Sequence, residues 1–166
     1  MIKIAKTKAA RVIAVDRQAP DKARQAGIDL ALGSENDDVV ARVMDFTAGK
    51  GADVVFDCVG GPLFEVGINS LALNGRQVNI TAVGQRRVSF DLLDFYRRQL
   101  TLFGVNTATL DTIAAGDILD DLRPAFEQRQ LTPPPIAKAC PLAEAVDAYL
   151  QVGSGVAGGK IVILFR

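Results

Sequence analysis

Asp53-Val54-Val55-Phe56-Asp57-Cys58-Val59-Gly60-Gly61-Pro62, residues 53–62, is the stretch whose reading decides the fold. Its apolar run, from Asp53 to Val59, is the strongest strand signal in the chain. A strand covered on both faces loses apolar-polar alternation, so this run reads as a buried strand of a parallel sheet. Gly60-Gly61-Pro62 ends it and opens a helix carrying Phe64, Ile68 and Leu71.

The same alternation extends to both sides. Toward the N-terminus, Gly49-Lys50-Gly51 is a turn. Before it, Val39, Val40, Val43 and Met44 recur at helical spacing up to Phe46, with Ser34 or Asn36 as N-cap. Asp29-Leu30-Ala31-Leu32 reads as a short strand. Pro20–Ala26 reads as a short helix with Gly27 past its end, and Arg11–Val15 as a buried parallel strand closed by Asp16. Lys3–Lys8 looks like the end of a helix.

Toward the C-terminus, Asn74-Gly75 is a turn signal and Arg76–Thr81 a strand that stops at Gly84. Leu92, Leu93, Phe95 and Tyr96 form an apolar patch before the strand Leu100–Val105. Ile118, Leu119, Leu122 and Phe126 mark a helix that Pro124 should kink. Leu131–Pro135 is an extended connector. Pro141–Leu150 reads as a last helix, buried through Leu142, Val146 and Tyr149. Gly158-Gly159-Lys160 turns into a final strand, Ile161–Phe165. No internal repeat interrupts this order. Strands alternating with helices predict an α/β fold with a mostly parallel sheet flanked by helices.

Composition narrows the chemistry. The 166 residues carry 19 basic and 19 acidic side chains, no histidine and two cysteines. Neutral net charge and a pI near 6.3 argue against nucleic-acid binding. Without histidine, no Ser-His-Asp or Cys-His catalyst and no histidine-containing zinc site can be built. Cys58 and Cys140 cannot form a thiolate cluster, and their pattern is not that of a secreted disulfide framework. No apolar run is long enough to span a membrane and no secretory leader is visible, so a cytoplasmic setting is expected.

In open parallel sheets, ligands bind outside the carboxyl ends of the strands. The residues to inspect are therefore Asp16, Cys58–Gly61, Ala82–Gly84 and Val105–Thr107. An acid at Asp16 can accept hydrogen bonds from ribose hydroxyls and would repel a 2′-phosphate, which favours NAD. Arg17 beside it can pair with a 2′-phosphate, which leaves NAD against NADP open; a solvated Asp-Arg loop pair fits equally. Gly60 and Gly61 either let a cofactor approach the backbone or form a tight strand-helix turn, the better local reading. Cys58 lacks an activating base and reads as a buried structural cysteine. Asn106 and Thr107 can bond a carboxamide or cap the next helix. Arg86-Arg87 and Arg97-Arg98 read as solvated surface.

The order of "RVIAVD", "FTAGKGADVVFDCVGG", "LNGRQVNITAVG", "FDLLDFYRRQLTLFGVNT" and "PLAEAVDAYLQVGSGVAGGKIVIL" resembles the medium-chain dehydrogenase/reductase superfamily. Within it the chain is most similar to the zinc-independent, quinone-oxidoreductase-like branch. The resemblance implies a Rossmann-like fold, with residues 1–135 as a partial NAD(P)-binding domain. Residues 136–166 would be the helix and strand that return to a GroES-like catalytic domain. It also implies that the first strand and its glycine-rich phosphate loop would lie before Met1, since no G-x-G-x-x-G occurs.

By this resemblance Asp16 and Arg17 would select the adenosine ribose, and Cys58, Val59 and Gly60 would line the cofactor. Val83 and Gly84 would sit near the nicotinamide ribose, and Val105 and Asn106 near the nicotinamide. No residue is expected to be an acid-base catalyst and no metal is expected; the chemistry belongs to NAD(P)H. The implied reaction is hydride transfer to a quinone, enone or carbonyl acceptor in a full-length enzyme. The chain alone is expected to bind dinucleotide weakly or not at all and to be inactive. The family also implies a homodimer through the 99–105 strand edge. The alternative is a non-catalytic α/β interaction module, or a split-gene subunit completed by a partner chain. Without the family's first strand, Arg11–Val15 and Asp53–Cys58 lose a shared neighbour, so a gap or a rearranged sheet is expected.

Overall fold

The computed structural model describes residues 1–18, 27–154 and 159–165, in which helices alternate with parallel strands. The expected helix at Pro20–Ala26 and Gly158 of the last turn lie outside the described residues. The chain divides into two compact units, Met1–Leu119 and Asp120–Arg166.

The first unit begins with α1 (Ile2–Thr7) and β1 (Ile13–Asp16). β1 pairs in parallel with β2 (Leu30–Gly33), Ile13 opposite Leu30 and Asp16 opposite Gly33. β1 is less buried than its apolar run suggests, because among the described residues it is paired with β2 on one side only: Val15 and Asp16 are exposed. The Lys6 ammonium donates to the Asp29 carboxylate at 2.8 Å, and the Val12 N–H donates to the same oxygen at 2.6 Å. First the lysine and then this N–H hold the Asp29 carboxyl below its ordinary value.

α2 (Val39–Phe46) is capped by Asp38, not by Ser34 or Asn36. The Gly33 carbonyl accepts from the Asn36 and Asp37 N–H groups, and the Asp37 carboxylate accepts from the Gly33 N–H. That turn consumes residues 33–37, so the helix starts one step later, with Asp38 Oδ1 accepting from the Ala41 N–H at 3.0 Å. Val39 and Val43 then bury against Leu32, with Ile13, Leu30, Ala52 and Val66 packed around them. This cluster joins residues of both sheets of the unit.

The second sheet has the order β3-β4-β5, all parallel: β3 is Ala52–Asp57, β4 Leu71–Asn79 and β5 Thr101–Gly104. Among the described residues β1 and β3 are not paired, so the unit holds two sheets and not one continuous sheet. α3 (Gly61–Asn69) crosses from β3 to β4 and buries Phe64 and Ile68. Leu71 is not on this helix. It opens β4 opposite Ala52 and is 1% exposed.

Asn74-Gly75 is not a turn ahead of the strand either; it lies where the β3–β4 register shifts inside β4, between the Ala52–Leu71 and Val54–Arg76 pairs. Asn74 takes a left-handed φ of 61°, and its N–H donates to the Arg98 carbonyl. Turn chemistry was legible here, but the sheet absorbs it as a bulge.

The apolar patch at 92–96 forms α4 (Leu92–Arg97), capped by Asp91. Phe64, Ile68, Leu71 and Leu100 form the core over one sheet face, with Val55, Phe90, Phe95 and Leu102 against it. Burying each large side chain stabilises the unit by about 1.5–3 kcal/mol. Arg98 follows α4 and fastens it to α3. Its guanidinium donates to the Leu71 carbonyl at 2.8 Å and the Ile68 carbonyl at 3.1 Å, and pairs with Asp94. It is therefore a structural group, not merely solvated surface. Side chains alternate along a strand, so the opposite sheet face carries Val54, Val78, Phe103 and Val105. These line an open groove of about 330 Å³ with Arg76.

α5 (Thr112–Glu127) carries the boundary between the units and runs through Pro124 as one helix. The second unit then contains a strand that the sequence reading missed, β6 (Ile136–Pro141), paired in parallel with β7 (Lys160–Leu164). Its pattern is obscured by prolines before it and by Lys138 and Pro141 within it. Lys138 pairs with Glu144 at 3.0 Å, and that bond raises the lysine pKa. α6 (Ala145–Gly153) follows a 3₁₀ turn at Leu142–Glu144. Leu142, Val146 and Tyr149 are exposed, contrary to the expected buried face; small Ala148 is the residue that α6 buries.

Candidate functional site

Parallel strands place their carboxyl ends together, and the register defines the row there: Asp57 lies opposite Asn79, and Asn79 opposite Gly104. The chain leaves β3 through Cys58, Val59 and Gly60. Asp57 fixes that exit. Only 6% exposed, it accepts from the Val59 N–H at 2.9 Å and the Gly60 N–H at 2.8 Å through Oδ1. Among the described residues its Oδ2 is buried without a partner. Gly60 sits at φ +75°, a conformation that glycine adopts without steric cost.

The exit from β4 lies directly against this loop. The Ile80 N–H donates to the Asp57 carbonyl at 3.3 Å, and the Val83 N–H to the Val59 carbonyl at 2.8 Å. A Cβ on Gly60 would stand 2.5 Å from the Thr81 carbonyl oxygen, and one on Gly61 would stand 2.3 Å from that of Gln85. The paired glycines thus admit the neighbouring protein loop. Val83 is 57% exposed, and Gly84 and Cys58 are exposed beside it. The exposure of Cys58 corrects its reading as a buried structural cysteine: it lies just beyond the end of β3, outside the paired strand, and its thiol is free.

The exit from β5 is adjacent. The Val105 N–H donates to the Asn79 carbonyl at 3.0 Å, while its side chain lines the groove on the far sheet face. Asn106 Oδ1 accepts from the Ala108 N–H and caps a 3₁₀ turn at Thr107–Thr109. Asp16 and Arg17 end β1 in the other sheet. The Asp16 carboxylate accepts from the Arg17 backbone N–H at 2.7 Å, and the Asp16 carbonyl accepts from the Ser34 N–H. The structure therefore brings Cys58–Gly60 and Val83–Gly84 into contact, sets Val105–Asn106 beside Asn79, and leaves Asp16–Arg17 at a separate strand end.

Three polar residues of this region were not singled out from sequence: Asp57, Gln77 and Asn79. Gln77 is fully buried; its Nε2 donates to the Phe64 carbonyl at 3.4 Å and to Asn79 Oδ1 at 3.0 Å. Asn79 Nδ2 in turn reaches the Phe103 carbonyl at 3.4 Å. This chain of bonds ties α3, β4 and β5 together behind the loops. A carboxylate inside an apolar strand, and polar residues two apart in the next, were the available signals.

Chemically the region offers backbone groups, one exposed thiol and small polar side chains. Among the described residues no three of Cys, Asp or Glu gather as metal ligands, and the chain has no histidine.

Known proteins share this fold. Residues 1–120 match the family described as "Zinc-binding dehydrogenase". A solved NAD-dependent alcohol dehydrogenase is 28% identical, with a TM-score of 0.82, over 99% of this chain and 47% of that one. A mycobacterial quinone oxidoreductase shares the fold with a TM-score of 0.84 at 22% identity, over 99% of this chain and 52% of that one. A mycocerosic acid synthase-like polyketide synthase of Mycobacterium tuberculosis is 27% identical over 98% of this chain and 8% of its own length. The chain thus spans about half the length of these solved relatives and a small part of the synthase.

Proposed function

Since the chain belongs to the zinc-binding dehydrogenase family, within the medium-chain dehydrogenase/reductase superfamily, we propose that it is the cofactor-binding portion of an NAD(P)H-dependent oxidoreductase. The observation that carries this reading is the convergence of three loops, Cys58–Gly60, Val83–Gly84 and Val105–Asn106, on adjacent carboxyl ends of one parallel sheet. Such an edge is where open α/β sheets bind nucleotides.

The residues fit a dinucleotide as wall and backbone contacts. Cys58, Val59 and Gly60 with Val83 and Gly84 would line the nicotinamide half, and Val105 and Asn106 would lie near the ring. Asp16 would accept from ribose hydroxyls, which favours NAD, and Arg17 would meet a 2′-phosphate. The bound cofactor supplies the hydride; these residues position it and exclude water. The acceptor in the whole enzyme is proposed to be a quinone, enone or other carbonyl compound. Residues 136–166 are proposed to belong with the catalytic part of that enzyme.

Titrating NADH and NADPH into the purified chain, followed by calorimetry and nucleotide fluorescence, tests this. The expected result is saturable binding weaker than micromolar, with no turnover by the chain alone. Micromolar affinity would contradict the expected weak binding, and no binding of either nucleotide would contradict the reading itself. β5 is the outer strand of its sheet, so the proposed homodimer would form along residues 99–105, an apolar edge that otherwise invites uncontrolled pairing. Light scattering on a size-exclusion column checks it.

A second reading is a non-catalytic α/β module completed by a partner chain. It is favoured by the uncovered sheet face, where Val54, Phe103 and Val105 are each more than two-fifths exposed. A chain that binds no dinucleotide but elutes with a partner polypeptide would select it. No helix among the described residues is long and apolar enough to cross a membrane, and a cytoplasmic setting is proposed.

A further inference from the structure

We propose that Asp57, Gly60 and Gly61 form a clasp that sets the position of the 81–85 loop, with Asp57 as the positioning residue of the site. The proposal rests on the cofactor reading for what the loops face, but the clasp itself is a property of the chain.

The two loops meet backbone to backbone. Val83 hangs on the Val59 carbonyl, and the Thr81, Val83 and Gln85 carbonyls lie where side chains at 60 and 61 would be. A contact of that kind has no side chain to adjust. The 81–85 loop therefore goes where the 58–61 backbone goes. That backbone is held by one carboxylate oxygen: Asp57 Oδ1 takes both the Val59 and the Gly60 N–H groups and so holds Gly60 in its left-handed conformation. The Ile80 N–H returns to the Asp57 carbonyl, closing the arrangement through the same residue.

The Gly60 N–H that the carboxylate takes belongs to the N-cap residue of α3, so the same oxygen also fixes where that helix begins. Among the described residues Asp57 Oδ2 is buried without a partner, so Oδ1 alone makes the bonds that hold the loop.

The experiment is residue-resolved amide exchange on the full-length ¹⁵N-labelled chain, with Asp57→Ala, Asp57→Asn and Gly61→Ala. Asp57→Ala is expected to lower protection at Val59, Gly60 and Val83 together, by about tenfold or more, as loss of charge-assisted bonds implies. Gln77 and Val78 in β4 should stay protected. Asp57→Asn keeps an acceptor and should restore Val83 to within about threefold of the parent. Gly61→Ala is expected to expose Val83 while sparing Val59 and Gly60. Unchanged exchange at Val83 in Asp57→Ala, with Val59 and Gly60 exposed, overturns the clasp. So does an Asp57→Asn chain as open as Asp57→Ala.

The cofactor part has its own readout, the resonance shifts at 58–60 and 81–85 on adding millimolar NADH or NADPH. They are expected in the parent and in Asp57→Asn, and should fade in Asp57→Ala. A parent spectrum that ignores both nucleotides overturns the cofactor reading, while the exchange data decide the clasp independently.

Discussion

Replacing Arg98 by alanine should be the most damaging single change outside the apolar core of the first unit. The guanidinium makes two bonds to main-chain carbonyls, Leu71 at 2.8 Å and Ile68 at 3.1 Å, besides its pair with Asp94. Its side chain is 22% exposed, so water replaces only part of what is lost. Each hydrogen bond from a charged donor is worth about 1.5–3 kcal/mol. The ion pair adds less than about 1 kcal/mol, because the Asp94 side chain is 41% exposed.

Allowing for solvent entry, Arg98→Ala should cost about 2–4 kcal/mol. Arg98→Lys, which keeps the charge but not the two-pronged geometry, should cost about half of that. Asp94→Ala should stay under about 1 kcal/mol. Urea unfolding followed by circular dichroism reads all three, and the larger losses should lower Tm by about 4–16 °C. If Asp94→Ala costs as much as Arg98→Ala, the ion pair and not the carbonyl contacts carries the effect, and the reasoning is wrong. An Arg98→Ala chain within about 0.5 kcal/mol of the parent refutes it as well.

Asp38→Ala should remove the cap of α2 and cost about 1 kcal/mol, while Ser34→Ala and Asn36→Ala leave stability nearly unchanged in the same urea assay. The folded Asp29 carboxyl titrates below its ordinary value, so its stabilisation is present above that value and fades as pH falls through the lower, folded one. Asp29→Asn should flatten that acid limb, and carboxyl NMR shifts should place the Asp29 midpoint below 3.8. Cys58 is exposed and Cys140 is 2% exposed. A thiol reagent should therefore label one cysteine in the folded chain and both after unfolding; rapid double labelling would contradict the burial of Cys140.

Much of the architecture was legible because local patterns and tertiary demands agree. The run 53–59 supplies most of β3 (Ala52–Asp57), although it is not buried on both faces: Val54 is 49% exposed. Phe64 and Ile68 are spaced for one helix face, and both are buried. The failures occur where local chemistry had two uses. Asn74-Gly75 has turn chemistry, but a bulge uses the same left-handed residue inside β4. Ser34, Asn36 and Asp38 can all cap a helix, and the Gly33–Asp37 turn decides among them. In α6 the large apolar residues suggested the buried face, yet Ala148 is buried and Val146 and Tyr149 are not.

The candidate site divides in the same way. That ligand-facing residues lie just after the strands follows from parallel pairing, and Cys58–Gly60, Val83–Gly84 and Val105–Asn106 could be named from strand ends alone. Their mutual contact could not, since the Val83 bond to Val59 spans two strand exits and the intervening helix. Nor could the roles of Asp57 and the two glycines, which depend on what packs against them.

Sequence alone thus determined the order of strands and helices, the parallel pairing and the absence of histidine chemistry, because hydrophobic period and residue type are local properties. Tertiary structure alone decided that Gly60 and Gly61 face the protein's own loop. It also set a buried carboxylate at the hinge of the site. Those outcomes depend on which backbones share space, and shared space is not a local property of the chain.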